Sequence, residues 1–132
     1  MLNKIEHIGV AVTSIEESLP FYTEVLGLEL VGIEEVPDQK LRVAFLKIGQ
    51  SNIELLESTS PDGSVAKFLE NRGPGIHHLA FAVDDVAKEL EAVKSRGIRV
   101  IDETPRIGAH GAKIAFLHPK SGGGVLIELC QH

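Results

Sequence analysis

The sequence predicts an α+β fold made of two paired βαβββ modules. Three observations carry that expectation. The chain repeats itself: Glu6-His7-Ile8-Gly9-Val10-Ala11-Val12 reads against His77-His78-Leu79-Ala80-Phe81-Ala82-Val83, and Val43-Ala44-Phe45-Leu46 against Ile114-Ala115-Phe116-Leu117, both at an offset of 71. Ile53-Glu54-Leu55 falls on Ile127-Glu128-Leu129 at an offset of 74. Residues in these segments alternate with the period of two that a half-buried strand requires. In each half a polar cap signal opens one helical pattern and a glycine closes it.

Lys4 to Val12 sets Ile8, Val10 and Val12 on one face and His7, Gly9 and Ala11 on the other, which predicts a strand with a single core face. Ser14 offers an N-cap, with Glu17 as its capping-box partner. Ile15, Leu19, Tyr22 and Leu26 follow at helical spacing up to Gly27, an expected C-cap. Phe21 and Tyr22 fit helix packing, and Pro20 lies about one turn in, where a helix tolerates proline better than in its middle. Leu28 to Glu34, Leu41 to Ile48 and Asn52 to Glu57 read as strands, with a turn at Val36-Pro37-Asp38-Gln39 and a hairpin around Gly49-Gln50-Ser51. A short helix is expected within 64–71, and Arg72-Gly73-Pro74-Gly75 is a break. The order then repeats: strand Ile76 to Val83, cap Asp84-Asp85, helix Val86 to Arg96, closing Gly97, and strands Ile98 to Asp102, Lys113 to Leu117 and Gly124 to Leu129. The expected organisation is a single domain over 1–132, with module one at about 1–57, a linker at about 58–75 and module two at about 76–132.

A chain of 132 residues with 43% hydrophobic content suits a folded domain and not a disordered segment. No apolar run approaches the roughly 18 residues that span a bilayer, so no membrane partner is expected. The N-terminus enters a strand pattern at once and shows no signal-peptide pattern. Cys130 is the one cysteine, which rules out an internal disulfide and suits a reducing cytoplasm. A formal charge of −6 without a basic stripe argues against nucleic acid as a partner.

Each half contributes a histidine from its first strand and a glutamate from its last: His7 with Glu54, and His78 with Glu128. A lone strand histidine is more often a hydrogen-bonded structural residue, and a lone glutamate more often belongs to an exposed edge. Four of them in matching positions of a repeat favour a divalent metal instead. If the apolar faces pack on the helices, all four ligands face a metal cleft enclosed by a curved mixed sheet. His77 takes the place of Glu6 and reads as a helix-facing or surface residue. Gly122-Gly123-Gly124 suits a phosphate cradle or a flexible hairpin equally, and Lys120 beside it a phosphate contact or a solvated lysine.

These residues resemble the vicinal oxygen chelate (glyoxalase-like) superfamily and, within it, the methylmalonyl-CoA epimerase family. The resemblance covers nearly the whole chain. Its specific parts are Glu6 to Val12, Gly75-Ile76-His77-His78-Leu79, Ile107-Gly108-Ala109-His110-Gly111 and His118 to Leu129. It implies metal ligation by His7, Glu54, His78 and Glu128, with cobalt or else manganese, nickel or zinc as the ion. It also implies an acyl-CoA substrate, a homodimer, and interconversion of (2R)- and (2S)-methylmalonyl-CoA in propionyl-CoA metabolism. That reaction removes a proton flanked by a thioester carbonyl and a carboxylate. A divalent ion chelated by two substrate oxygens would stabilise the enolate, and inversion needs a base on each face. The resemblance makes Glu128 the first base; symmetry makes Glu54 the second, with His110 as runner-up. His110 and Lys120 are candidate substrate contacts. Some epimerases carry a glutamate where Val43 stands here, and valine cannot carry a proton. Glyoxalase I shares the ligand set and is the nearest rival. Extradiol dioxygenases hold iron with two His and one Glu, which Glu54 argues against; an antibiotic-sequestering module without metal is the remaining alternative.

Overall fold

The computed structural model describes residues 2–132. They form two units, His7–His77 and His78–His132 with residues 2–6, and strand β1 (Leu2–Ala11) contributes to both.

In His7–His77, β1 is followed by helix α1 (Ile15–Pro20), strands β2 (Glu29–Val36), β3 (Leu41–Ile48) and β4 (Ser51–Ser58), and helix α2 (Ser64–Arg72). The sheet order is β2-β3-β4-β1; β2, β3 and β4 form an antiparallel meander, and β4 returns parallel to β1. Alternate residues of β3 and β4 enter the core: Ala44, Leu46 and Leu55 are buried with Val12 and Ile15, and Val10, Leu19, Tyr22, Leu28 and Ile53 pack against them. The period-two reading of β1 and β4 is therefore correct, and it leaves His7, Gly9 and Glu54 on the opposite face.

Helix α1 starts where Ser14 Oγ accepts the Glu17 N–H at 3.2 Å. A second acceptor comes from β4: Glu57 Oε1 takes the Ile15 N–H at 2.8 Å. The sequence predicts one helix running to Leu26. Instead the α-helix stops at Pro20 and a π turn, Phe21–Val25, follows, closed by the Leu26 N–H to the Phe21 carbonyl at 3.0 Å. Pro20 has no N–H to give the carbonyl one turn back, so the ladder widens there. The wider turn swings Phe21 and Leu26 outward, each 54% exposed, whereas Tyr22 stays against the core.

In the other unit, residues 2–6 of β1 lie with β5 (Gly75–Val83, entering the unit at His78), helix α3 (Val86–Ser95), and strands β6 (Arg106–Ile107), β7 (Lys113–Leu117) and β8 (Ile127–Gln131). The sheet order is β1-β5-β8-β7-β6, with β8 parallel to β5 and antiparallel to β7. Val83, Val86, Leu90, Ala115 and Leu129 form the core under α3. The helix start repeats that of α1: Asp85 Oδ1 accepts the Lys88 N–H at 3.2 Å, and from β8 the Gln131 side-chain oxygen accepts the Val86 N–H at 2.9 Å.

Three expectations in this unit are corrected. Ile98 to Asp102 is not a strand; it keeps a single bridge, Val100 opposite Leu117. The N–H groups of Ile101 and Asp102 both turn to the Phe116 carbonyl, at 2.9 and 3.2 Å, and the Asp102 carboxylate accepts the Phe116 N–H at 2.8 Å. A side chain has taken the place of a ladder carbonyl, and the backbone bends. The edge strand is β6, inside the stretch read as loop, with Arg106 opposite Ile114 and Ile107 opposite Lys113. The last strand begins at Ile127, not Gly124: Pro119–Gly122 form a 3-10 turn, and Gly123 and Gly124 leave it at φ +70° and +97°, where a side chain would be strained.

Leu55 (0% exposed) and Leu90 (1%) sit at the centres of the two cores. Leu55→Ala and Leu90→Ala should each lower stability by about 2–5 kcal/mol, measured as a shift in urea midpoint at unchanged slope.

Candidate metal centre

In each unit the register of one parallel strand pair builds a His–Glu pair. Gly9 of β1 lies opposite Glu54 of β4, and Ala80 of β5 lies opposite Glu128 of β8. Residues opposite one another share a face, and so do residues two apart along a strand. Each glutamate therefore meets a small side chain directly across and a histidine, His7 or His78, two residues before it. The small residue leaves room for the carboxylate to reach that imidazole. His7 Nδ1 stands 3.1 Å from Glu54 Oε2, and His78 Nε2 stands 3.3 Å from Glu128 Oε1. All four residues are buried.

The other flank of each glutamate is also repeated. In β3, Phe45 lies opposite Glu54; in β7, Phe116 lies opposite Glu128. Both rings are buried, so each carboxylate is walled by an aromatic side chain that keeps water away. The His78 ring meets Phe116 edge-on, centroids 5.7 Å apart. Phe116 is itself held: the Arg106 guanidinium lies 5.2 Å over its ring, and Arg106 Nε is 3.3 Å from the Asp102 carboxylate that accepts the Phe116 N–H. Asp102, Arg106 and Phe116 thus form a support behind His78 that no spacing in the sequence announced.

The donor sets fit a divalent ion. With bonds of about 2.1 Å, adjacent nitrogen and oxygen ligands lie about 3.0 Å apart in an octahedral site and about 3.4 Å apart in a tetrahedral one. The separations of 3.1 and 3.3 Å fall within that range. Imidazole nitrogen with carboxylate oxygen suits cobalt, manganese, nickel or zinc.

The remaining candidates stand elsewhere. His77 is half-buried, and its ring meets Phe68 of α2 edge-on at 5.1 Å, the helix-facing position expected for it. His110 is exposed in the turn Ala109–Gly111, in the left-handed region at φ 56°. Lys120 is exposed as well, and its backbone N–H donates to His118 Nδ1 at 3.1 Å. Desolvation, with help from the cationic Arg99 and Lys120, holds the His118 ring below its usual pKa. Val43 is 2% exposed in β3, facing Leu56, and brings no proton carrier to the core.

The family model of the Glyoxalase/Bleomycin resistance protein/Dioxygenase superfamily matches residues 6–116. The chain is also 36% identical to the ethylmalonyl-CoA/methylmalonyl-CoA epimerase of Cereibacter sphaeroides, over 99% of both chains. It belongs to the methylmalonyl-CoA epimerase family. A solved methylmalonyl-CoA epimerase in complex with methylmalonyl-CoA and NH4+ matches its fold with a TM-score of 0.96 at 39% identity, covering 99% of this chain and 95% of that one. A probable chloroplastic lactoylglutathione lyase of Arabidopsis thaliana is more distant, 32% identical over 88% of this chain and 33% of that protein. The mixed α+β fold with a repeated βαβββ order is the one shared by these epimerases.

Asp102→Ala should remove the acceptor of a buried backbone N–H and the partner of Arg106. Its expected cost is about 1–3 kcal/mol in urea unfolding.

Proposed function

We propose that the chain interconverts (2R)- and (2S)-methylmalonyl-CoA by proton transfer at C2, with His7, Glu54, His78 and Glu128 holding one divalent ion, cobalt in the first place. The repeated, buried His–Glu pair carries this reading. Membership of a family whose solved relative binds methylmalonyl-CoA supports it. The two units act as one domain, and the protein works in the cytoplasm as a homodimer. Exposed apolar side chains at Phe21, Val25, Leu26, Leu30 and Val31 support that assembly. Among the described residues no helix is long and apolar enough to cross a membrane.

When bound, the ion supplies the positive charge that stabilises negative charge developing on the substrate's thioester and carboxylate oxygens. Glu128 removes the C2 proton, and the C–H electron pair passes into the thioester as an enolate. Glu54 would hold the ion through one oxygen and carry a proton on the other, and it delivers that proton to the opposite face, which inverts C2. Glu128 then gives its proton to solvent and Glu54 takes one up, which resets both groups for the next turnover. Valine at position 43 leaves the second base to come from elsewhere; Glu54 is the residue that matches Glu128 in the other half, and His110 is the runner-up. Phe45 and Phe116 wall the two carboxylates while the proton moves, and between turnovers both carboxylates exchange with solvent, so solvent hydrogen reaches C2. His110 and Lys120 contact the CoA-bearing substrate.

Cobalt-loaded protein incubated with (2S)-methylmalonyl-CoA in D2O should place deuterium at C2 while the epimer ratio approaches equilibrium. Turnover of the methylglyoxal–glutathione hemithioacetal without that exchange would make the protein a glyoxalase I. Glu128→Gln should slow the exchange by about 10²–10⁴-fold with an unchanged circular dichroism spectrum; exchange at the normal rate would remove Glu128 as base. Stripping the ion with a chelator should silence the exchange, and added cobalt should restore it.

A further inference from the structure

A second group of donor atoms lies in the unit formed by His78–His132 and residues 2–6. His132 Nε2 is 3.0 Å from Glu6 Oε2 and 3.7 Å from Cys130 Sγ. One ligand atom from each of the three residues lies within 4.8 Å of the others. Glu6 and Cys130 are buried, at 8% and 3% exposure, while the His132 side chain is 52% exposed. Cys130 is in no disulfide.

We propose that Glu6, Cys130 and His132 form a second metal site, which takes a borderline-soft divalent cation of the zinc class. The spacing is the first argument. Tetrahedral zinc with bonds of about 2.3 Å to sulfur and about 2.0–2.1 Å to nitrogen and oxygen sets sulfur and nitrogen about 3.6 Å apart, and nitrogen and oxygen about 3.3 Å apart. The distances of 3.7 and 3.0 Å lie within 0.3 Å of those values. Ring orientation is the second argument. A Cys–His–acid nucleophile uses both ring nitrogens, one toward the thiol and the other toward the carboxylate. Here Nε2 faces both partners, as a nitrogen does when it shares an ion with them. The surroundings are the third: Cys130 packs with Ala112, Ile114, Phe116 and Leu126, an apolar wall that strengthens electrostatic attraction on the inner side. The exposed imidazole leaves the outer side to water as the fourth ligand. On binding, the sulfur–metal bond forms as the thiol proton leaves to solvent. The thiolate sets this site apart from the His/Glu set, because sulfur selects zinc or cobalt over magnesium, calcium or manganese.

Cobalt(II) titrated into the purified chain tests the assignment. Cys130 is the one cysteine, so a thiolate-to-cobalt charge-transfer band in the near ultraviolet reports this site alone. The band should rise to saturation, bleach when zinc is added, and persist in Glu54→Gln, which alters the other donor set. Cys130→Ser should abolish it. His132→Ala, a change at an exposed side chain that spares the core, should weaken the binding that produces the band by tenfold or more. No band at saturating cobalt, or a band of unchanged affinity in His132→Ala, would overturn the site.

Discussion

A carboxylate taken out of water is destabilising unless a donor or a cation stands beside it. This chain buries Glu54 and Glu128, and each time an imidazole lies within 3.3 Å. Much of the surrounding sequence follows from that need. The position across the parallel strand must be small, and it is Gly9 in one unit and Ala80 in the other. The position across the antiparallel strand must exclude water, and it is Phe45 or Phe116. The same four-residue environment therefore recurs in both units. Each pair is a buried imidazole–carboxylate contact, and its atoms stand at the spacing that ligands of one divalent ion would need.

The helix side of each sheet is governed by a different constraint, which left a plainer mark in the sequence. Ser14 with Glu17 and Asp85 with Lys88 are local pairs three residues apart, so the helix starts could be read directly. Alternation in β1 and β4 fixed which residues face α1, and hence that His7 and Glu54 face away from it. The offsets of 71 and 74 residues then carried the same argument to His78 and Glu128. Failures came where a side chain or an imino acid overrode the local pattern. Asp102 captured the Phe116 N–H and bent a stretch that Ile98, Val100 and Ile101 made look like a strand. Pro20 withheld an N–H and turned the end of an apparent helix into a π turn. The support behind His78 was illegible because Asp102, Arg106 and Phe116 meet only through strand pairing. The Glu6–Cys130–His132 group leaves no local signature for a similar reason: Glu6 and His132 lie 126 residues apart.

The first helix of each unit is also fastened to that unit's last strand. Glu57 receives the Ile15 N–H across 42 residues, and Gln131 receives the Val86 N–H across 45. One acceptor is acidic and the other neutral, so what the two copies have in common is an oxygen at the right height and not a charge. A fastening of that reach cannot form until the final strand has docked, because the intervening chain must close into a ring before the two ends meet. Each half should therefore gain its helix start and its last strand together, and a loss at the last strand would be felt across the unit, as fraying of the helix start that its oxygen holds.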